Sequence, residues 1–208
     1  MNYDILYTFV LATAAMAIAP GPDNIYVFSQ SISHGKKYGL ATTAGLLSGC
    51  LVHTTLLAFG VSAALKANEH VFFGIKVFGA MYLFYLAFQV LRSENTTGLP
   101  TEKTAKGSLI SLFKQGFIMN VLNPKVTIFF LAFFPGFLFS DSWSTIAQFY
   151  TLGFLFIGVS FFIFGGIAVL SGTIAARFSE NQAVGNYLKW FQIIVFVSIG
   201  LFLILSDK

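Results

Sequence analysis

Residues 17–24 read Ala-Ile-Ala-Pro-Gly-Pro-Asp-Asn and lie inside the first long apolar stretch of the chain. A proline in a helix interior lacks an N–H group and clashes with the carbonyl four residues earlier, so Pro20 and Pro22 free the carbonyls of Met16 and Ile18. An unpaired backbone carbonyl cannot face lipid without a large energetic penalty. This interruption is therefore expected to line a polar cavity or to be buried against protein.

A second interruption lies at residues 120–125, which read Asn-Val-Leu-Asn-Pro-Lys. Pro124 frees the carbonyl of Asn120 in the same way. Asn123 is a favourable N-cap, and proline fits the first position of a helix, so a new helix is expected to begin here. Both interruptions contribute residues that we predict to bind a substrate or to couple its movement to that of an ion. These are Pro20, Gly21, Pro22, Asp23, Asn24, Asn120, Asn123, Pro124 and Lys125.

The composition is that of a membrane protein. Of 208 residues, 10% are charged and 56% are hydrophobic, with 26 phenylalanines. Soluble domains carry about a quarter charged residues, so a soluble enzyme, a disordered chain and a nucleic-acid-binding protein are all excluded. We expect no enzymatic activity, no cofactor and no resident metal. Cys50 is the only cysteine, which excludes mechanisms that need two thiols in one chain.

Six stretches are long and apolar enough to cross a bilayer, which takes about 20 helical residues. These predicted spans are Ile5–Phe28, Leu40–Ala64, Val71–Leu91, Phe117–Phe139, Ile146–Leu170 and Tyr187–Leu205. The predicted fold class is therefore all-α, a polytopic membrane protein with six transmembrane helices, of which the first and fourth are broken.

The polar stretch at 92–107 divides the chain into two sets of three spans, at about 1–91 and 108–208. An odd number of spans per half makes the second half enter the membrane from the opposite side, which is the plan of a 3+3 inverted repeat. Residues 1–208 are thus predicted to form a single transmembrane transporter domain. Broken helices at the same position of both halves are the best sequence indication of a transporter's binding site.

Lysine and arginine concentrate in the first, third and fifth loops, which predicts that these loops are cytoplasmic. The 92–107 linker is then cytoplasmic, and both termini are periplasmic. Lys76 is expected to reach the outer surface from its span. The small residues Gly45, Ser48 and Gly49 favour close helix packing within the monomer over dimerisation, and a homodimer stays open.

Asp23 and Lys125 follow the two prolines, roughly 12 Å or more from the cytoplasmic ends of their spans at 1.5 Å per residue. A charge at that depth is costly and is therefore a functional candidate. We hypothesise that a zwitterion binds between them, with its carboxylate near Lys125 and its ammonium near Asp23. The alternative is a structural ion pair between these two residues.

These segments resemble the LysE/RhtB family of bacterial amino-acid exporters (LysE-type translocators). The resemblance rests on residues 17–24, 35–40, 76–83 and 120–125, in that order. It implies a carrier in the bacterial inner membrane that exports an amino acid or a close derivative, driven by the proton gradient through antiport. Its partners would be the amino acid, protons and the lipid bilayer.

Proton coupling has two candidates in the sequence. Asp23 is the first, and His53, in the otherwise apolar second span, is the second as a possible proton relay. A lone histidine in such a span is more often a hydrogen-bonded packing residue. A divalent-metal or other small-cation exporter is the alternative function, but it would need several Asp, Glu or His ligands inside the spans.

Overall fold

The computed structural model describes residues 2–61, 69–93, 107–178 and 182–205. Within these ranges the chain forms helices and short connections, and none of the described residues forms a strand. The helices are α1 (Tyr3–Ile18), α2 (Pro22–His34), α3 (Lys36–Leu56), α4 (Glu69–Arg92), α5 (Leu109–Val121), α6 (Pro124–Ile128), α7 (Thr145–Phe178) and α8 (Gln182–Leu205).

Two helices continue in a non-α conformation. A π-helical turn, Leu57–Val61, extends α3. A π-helical turn, Phe129–Phe133, and a 3₁₀ turn, Phe134–Phe137, extend α6. Pro135 lies in the 3₁₀ turn, where its missing N–H interrupts the regular hydrogen-bonding pattern of the helix.

The described chain has four candidate spans, or the expected six when each of two bent helix pairs is counted as one span. Helices α3, α4, α7 and α8 are each long and apolar enough to cross a membrane. The first and fourth spans are bent pairs: α1 and α2 meet at 59°, and α5 meets the segment 124–137 at 50°. The prediction of an all-α membrane protein whose first and fourth helices are broken is confirmed.

The helix ends differ from the sequence-based boundaries. The first span was expected to end at Phe28, but α2 continues to His34 and only Gly35 separates it from α3. Gly35 has a φ of +98°, a conformation that glycine adopts without steric cost. The fourth span begins at Leu109 rather than at Phe117, because Ser108 caps α5 by accepting a hydrogen bond from Ser111 N at 3.1 Å. A criterion based on apolar residues alone does not detect such caps.

Contacts between the ends of the helices fit six alternating spans. Asn2 N donates to the carbonyl of Phe139 at 2.9 Å, which joins the start of α1 to the connection before α7. Lys189 Nζ donates to the carbonyl of Ser93 at 2.6 Å, which joins the start of α8 to the end of α4. Most of the linker, residues 94–106, lies outside the described residues.

The two halves pack in corresponding ways. Helix α3 packs against α5 of the other half, and α7 packs against α1, so exchanging the halves exchanges these contacts. The pairs α3–α7 and α4–α8 each join equivalent helices. At the α3–α5 contact, a Cβ atom on Gly45 would lie 2.0 Å from the carbonyl oxygen of Phe113. This glycine therefore serves packing within the monomer, as the sequence suggested.

The larger core cluster contains a group of packed aromatic rings, formed by Phe9, Phe129, Phe130, Phe133, Phe134, Phe137 and Phe156. We call it the phenylalanine cluster. Its rings stack closely, with centroids 4.1 Å apart for Phe130 and Phe134. Lys76 is also buried, at 7% exposure, so the expectation that it reaches the outer surface is wrong. Its helix turns this side chain toward the protein.

Candidate substrate site

The break between α1 and α2 is formed by residues 19–21. The backbone is extended at Gly21, with φ −164° and ψ 175°, and α2 begins at Pro22 with Gly21 as its N-cap. Pro22 occupies the first position of the helix, where its missing N–H would have no partner in any case. This geometry places Asp23 in the first turn of α2 and buries it at 7% exposure.

The break between α5 and α6 follows the predicted pattern. Asn123 caps α6 by accepting a hydrogen bond from Lys125 N at 3.0 Å, and Pro124 is the first helical residue. Asn123 is 9% exposed and Asn120 is 3% exposed. The second break therefore presents two buried amides and the Lys125 side chain.

Side chains satisfy three carbonyls at the end of α1. Lys125 Nζ donates to the carbonyl of Ala19 at 3.2 Å and to that of Met16 at 3.4 Å. Asn24 Nδ2 donates to the carbonyl of Ala17 at 2.8 Å. Because cations are favoured at the C-terminus of a helix, the Lys125 ammonium from the second half stabilises the broken end of the first.

The carbonyl that Pro124 frees is paired as well. The Asn120 carbonyl accepts from Asn123 N at 3.0 Å and lies 3.1 Å from His53 Nε2. A carbonyl can only accept, so Nε2 carries the hydrogen in this contact. His53 is 5% exposed and packs with its ring centroid 5.4 Å from that of Phe130. Its geometry is that of a hydrogen-bonded packing residue.

Asp23 is joined to the other half through an amide rather than through an ion pair. Its Oδ2 accepts from Asn123 Nδ2 at 3.1 Å. Its Oδ1 is buried and has no hydrogen-bond partner among the described residues. Both Asp23 and Lys125 lie in the described part of the chain, and no salt bridge joins them. One carboxylate oxygen therefore remains available to a ligand.

Both breaks open onto one small cavity of about 30 Å³. Of the predicted residues it is lined by Gly21, Pro22, Asp23, Asn24, Asn120, Asn123 and Lys125. Pro20, Pro124 and His53 are not in its lining. A space of this size holds a water molecule or two, so a larger solute requires the surrounding helices to move apart.

The cavity is also lined by residues outside the predicted site. These are Met16, Ala17, Cys50, Val126, Phe129, Phe156, Ser160 and Phe164. Ser160 is fully buried, and its Oγ has no partner among the described residues. The sequence signal for Ser160 was its position in the middle of a span without charged residues. Nothing in the sequence distinguished Phe129, Phe156 and Phe164 from the other phenylalanines.

The positions of the side chains do not support the alternative function, a divalent-metal exporter. Within the described ranges, no three or more His, Cys, Asp or Glu side chains lie close enough together to hold a metal ion. Asp23 and His53 face different partners, an asparagine amide and a backbone carbonyl.

Two broken helices from opposite halves, meeting at a buried polar cavity with an acid and a base in its wall, define a membrane transporter. The chain belongs to the LysE type translocator family, whose model matches residues 14–207.

Curated relatives span nearly the same length. A homoserine/homoserine lactone efflux protein of Salmonella typhimurium is 30% identical over 178 residues, which cover 85% of this chain and 84% of the relative. The protein of the same name from Salmonella typhi matches equally. An uncharacterized membrane protein of Pseudomonas aeruginosa is 29% identical over 193 residues, covering 89% of this chain and 82% of the relative. No solved structure matches the chain.

Proposed function

We propose that this protein is a secondary exporter of a small amino acid or a close derivative across the bacterial inner membrane, working by proton antiport. The observation that carries the proposal is the unpaired Asp23 Oδ1, buried in the same cavity wall as the Lys125 ammonium. A buried carboxylate oxygen without a partner is costly, and a ligand ammonium would satisfy it.

The opposite end of the ligand would bind Lys125. The ammonium of Lys125 lies against the carbonyls of Met16 and Ala19, and a substrate carboxylate is a stronger acceptor than either because it is charged. The N-terminus of α2, where the helix dipole favours an anion, adds to this attraction. The charges of the site therefore complement a solute with an ammonium at one end and a carboxylate at the other, which would bind once the surrounding helices move apart.

Homoserine and its lactone are the first solutes to test, because the relatives from Salmonella are named for their efflux. Both have an amino group for Asp23. Only homoserine has a free carboxylate for Lys125, so the lactone is expected to depend on Lys125 less than homoserine does.

Coupling would arise because Asp23 can hold either a proton or the substrate ammonium. One proton entering for each zwitterion leaving moves one net charge inward per cycle. The membrane potential then contributes about 2.3 kcal/mol per 100 mV to export. A pH gradient adds to this driving force.

Everted membrane vesicles test the proposal directly. Labelled homoserine should accumulate in vesicles with an acidic interior, and a protonophore should abolish the uptake. Asp23→Asn keeps the size of the side chain but cannot exchange protons, so we expect it to lose gradient-driven uptake by about tenfold or more, as for loss of one charged contact. The matched control is Asp141→Asn, at an exposed acid in the connection before α7.

Lys125 is expected to serve both substrate binding and the structure of the first break. Lys125→Met leaves the α1 carbonyls without their donor, and we expect it to lose both transport and thermal stability. Lys114→Met, at an exposed lysine of α5, is the control. If the Asp23→Asn, Lys125→Met double variant inserted normally and still transported homoserine against a gradient, the site assignment would be wrong.

A further inference from the structure

A second, small apolar cluster lies near the cavity and is separate from the core cluster that contains the phenylalanine cluster. It consists of Val27 of α2, Leu46 of α3 and Ala168 of α7, each fully buried. These three helices pack against one another. We call these three side chains the aliphatic barrier.

The barrier borders the central cavity on each of its helices. Asp23 precedes Val27 by four residues, Cys50 follows Leu46 by four, and Phe164 precedes Ala168 by four. Residues four apart lie one turn apart on the same helix face. All three of these neighbours line the cavity, so the barrier lies one turn below it.

Polar residues follow on the other side of the barrier, again on all three helices. Gln30 follows Val27, Thr43 precedes Leu46, and Ser171 follows Ala168, each by three residues. Their exposures are 2%, 1% and 5%. On each helix, the polar residue lies closer than the barrier residue to the end of the bundle where Gly35 joins α2 to α3. Helices α2 and α7 end there, and α3 begins there. We call these three residues the polar layer.

Two atoms of the polar layer have no partner within the described structure: Gln30 Oε1 and Thr43 Oγ1. Thr43 differs in this from its neighbour Thr42, which is equally buried and donates to the carbonyl of Tyr38 at 3.1 Å. Ser171 likewise donates to the carbonyl of Ala168 at 3.2 Å. The Thr43 hydroxyl is therefore not bonded to its own helix, although that is the usual arrangement for a buried helical threonine.

We propose that Gln30 and Thr43 form a second binding station for the transported solute, separated from the central cavity by the aliphatic barrier. The inference takes its solute class, a small polar amino acid, from the proposed function. The Gln30 amide oxygen accepts from the solute ammonium, and the Thr43 hydroxyl donates to its carboxylate or hydroxyl. The solute passes between the two stations when α2, α3 and α7 separate at the barrier.

Matched threonine variants test the station. Thr43→Val removes an unbonded hydroxyl at nearly constant volume, whereas Thr42→Val removes one that is already bonded to its own helix. We expect Thr43→Val to lower the maximal homoserine transport rate by about fivefold to tenfold, as for one lost hydrogen bond. Thr43→Ser should restore the rate, and Thr42→Val should leave it near the wild-type value. Equal rates for Thr43→Val and wild type overturn the proposal.

Thiol labelling tests the order of the layers without any substrate. Cys50 lies on the cavity side of the barrier, and Thr43→Cys in a Cys50→Ala background places a thiol beyond it. A small hydrophilic methanethiosulfonate added at the α2–α3 end should modify Thr43→Cys faster than it modifies wild-type Cys50. Leu46→Ala should accelerate modification of Cys50 and leave Thr43→Cys unchanged.

Faster labelling of Cys50 than of Thr43→Cys would overturn the layer order. The two proposals fail in different ways. If wild-type vesicles moved no amino acid, the proposed function would fail while the labelling order still held. If the wild type transported homoserine and Thr43→Val did so equally well, the second station alone would fail.

Discussion

Asn123 serves two purposes through the two ends of one amide. Its oxygen caps α6 by accepting from Lys125 N, and its nitrogen donates to the Asp23 carboxylate. The same side chain therefore starts a helix in one half and orients the acid of the other half. No shorter cap residue reaches both partners, which gives the asparagine at this position a specific physical reason.

Substitutions at Asn123 should separate these two purposes. Asn123→Ser keeps a cap oxygen but lacks the amide donor, so we expect stability near the wild-type value together with impaired transport. Asn123→Ala loses both contacts, and removal of the cap should cost about 1 kcal/mol of stability. Thermal unfolding in detergent and vesicle uptake measure the two effects. Full transport by Asn123→Ser would show that the bond to Asp23 has no part in substrate handling.

At the scale of helices, the contact between α3 and α5 depends on small residues. Gly45 faces the Phe113 carbonyl, and Gly116 faces that of Thr42, where an added Cβ would lie 2.4 Å away. The two backbones therefore touch directly. This contact joins the second span of one half to the broken span of the other, and it holds Asn120 beside Cys50 and His53.

Gly45→Ala should destabilise the protein by about 1–3 kcal/mol, because the new methyl group meets backbone that cannot rotate away. Gly158→Ala in α7 is the matched control, since a Cβ there meets no atom within 4 Å. Alanine favours helix by up to about 1 kcal/mol over glycine, so the control should be neutral or slightly stabilising. Midpoints of thermal unfolding measure both. A neutral Gly45→Ala would mean that α3 and α5 lie farther apart than described.

At the scale of the whole molecule, the two apolar clusters beside the cavity differ in composition. The phenylalanine cluster packs seven aromatic rings, whereas three aliphatic side chains form the barrier. Separating stacked rings exposes more apolar surface than separating Val27, Leu46 and Ala168. The barrier should therefore open at the lower energetic cost.

The orientation of the chain in the membrane is a further prediction. Lys37 lies at the start of α3, and Ser142 lies in the exposed connection before α7, at opposite ends of the bundle. In a Cys50→Ala background, an impermeant thiol reagent added to intact cells should label Ser142→Cys and spare Lys37→Cys. Disruption of the inner membrane should make both react. The reverse pattern would place the termini in the cytoplasm.

The sequence predicted the breaks and seven of the fifteen residues that line the cavity, because proline acts on its own helix whatever surrounds it. It could not predict the partners. The bond between Asp23 and Asn123, and those from Lys125 to the end of α1, join residues about a hundred positions apart. Such pairings depend on how the two halves fold together. The phenylalanine cluster could not be predicted for the same reason, because the sequence does not show which of the 26 phenylalanines pack together.

The single glycine between α2 and α3 restricts how the carrier can move. With one residue of chain at that corner, the end of α2 has to stay beside the start of α3, so the two helices can separate only toward the other end of α2. The flexibility needed for this movement has to come from the start of α2, where residues 19–21 connect the two parts of the first span. In the proposed transport cycle, alternating access would be a rotation about residues 19–21, directly beside Asp23, the acid to which we assign solute binding.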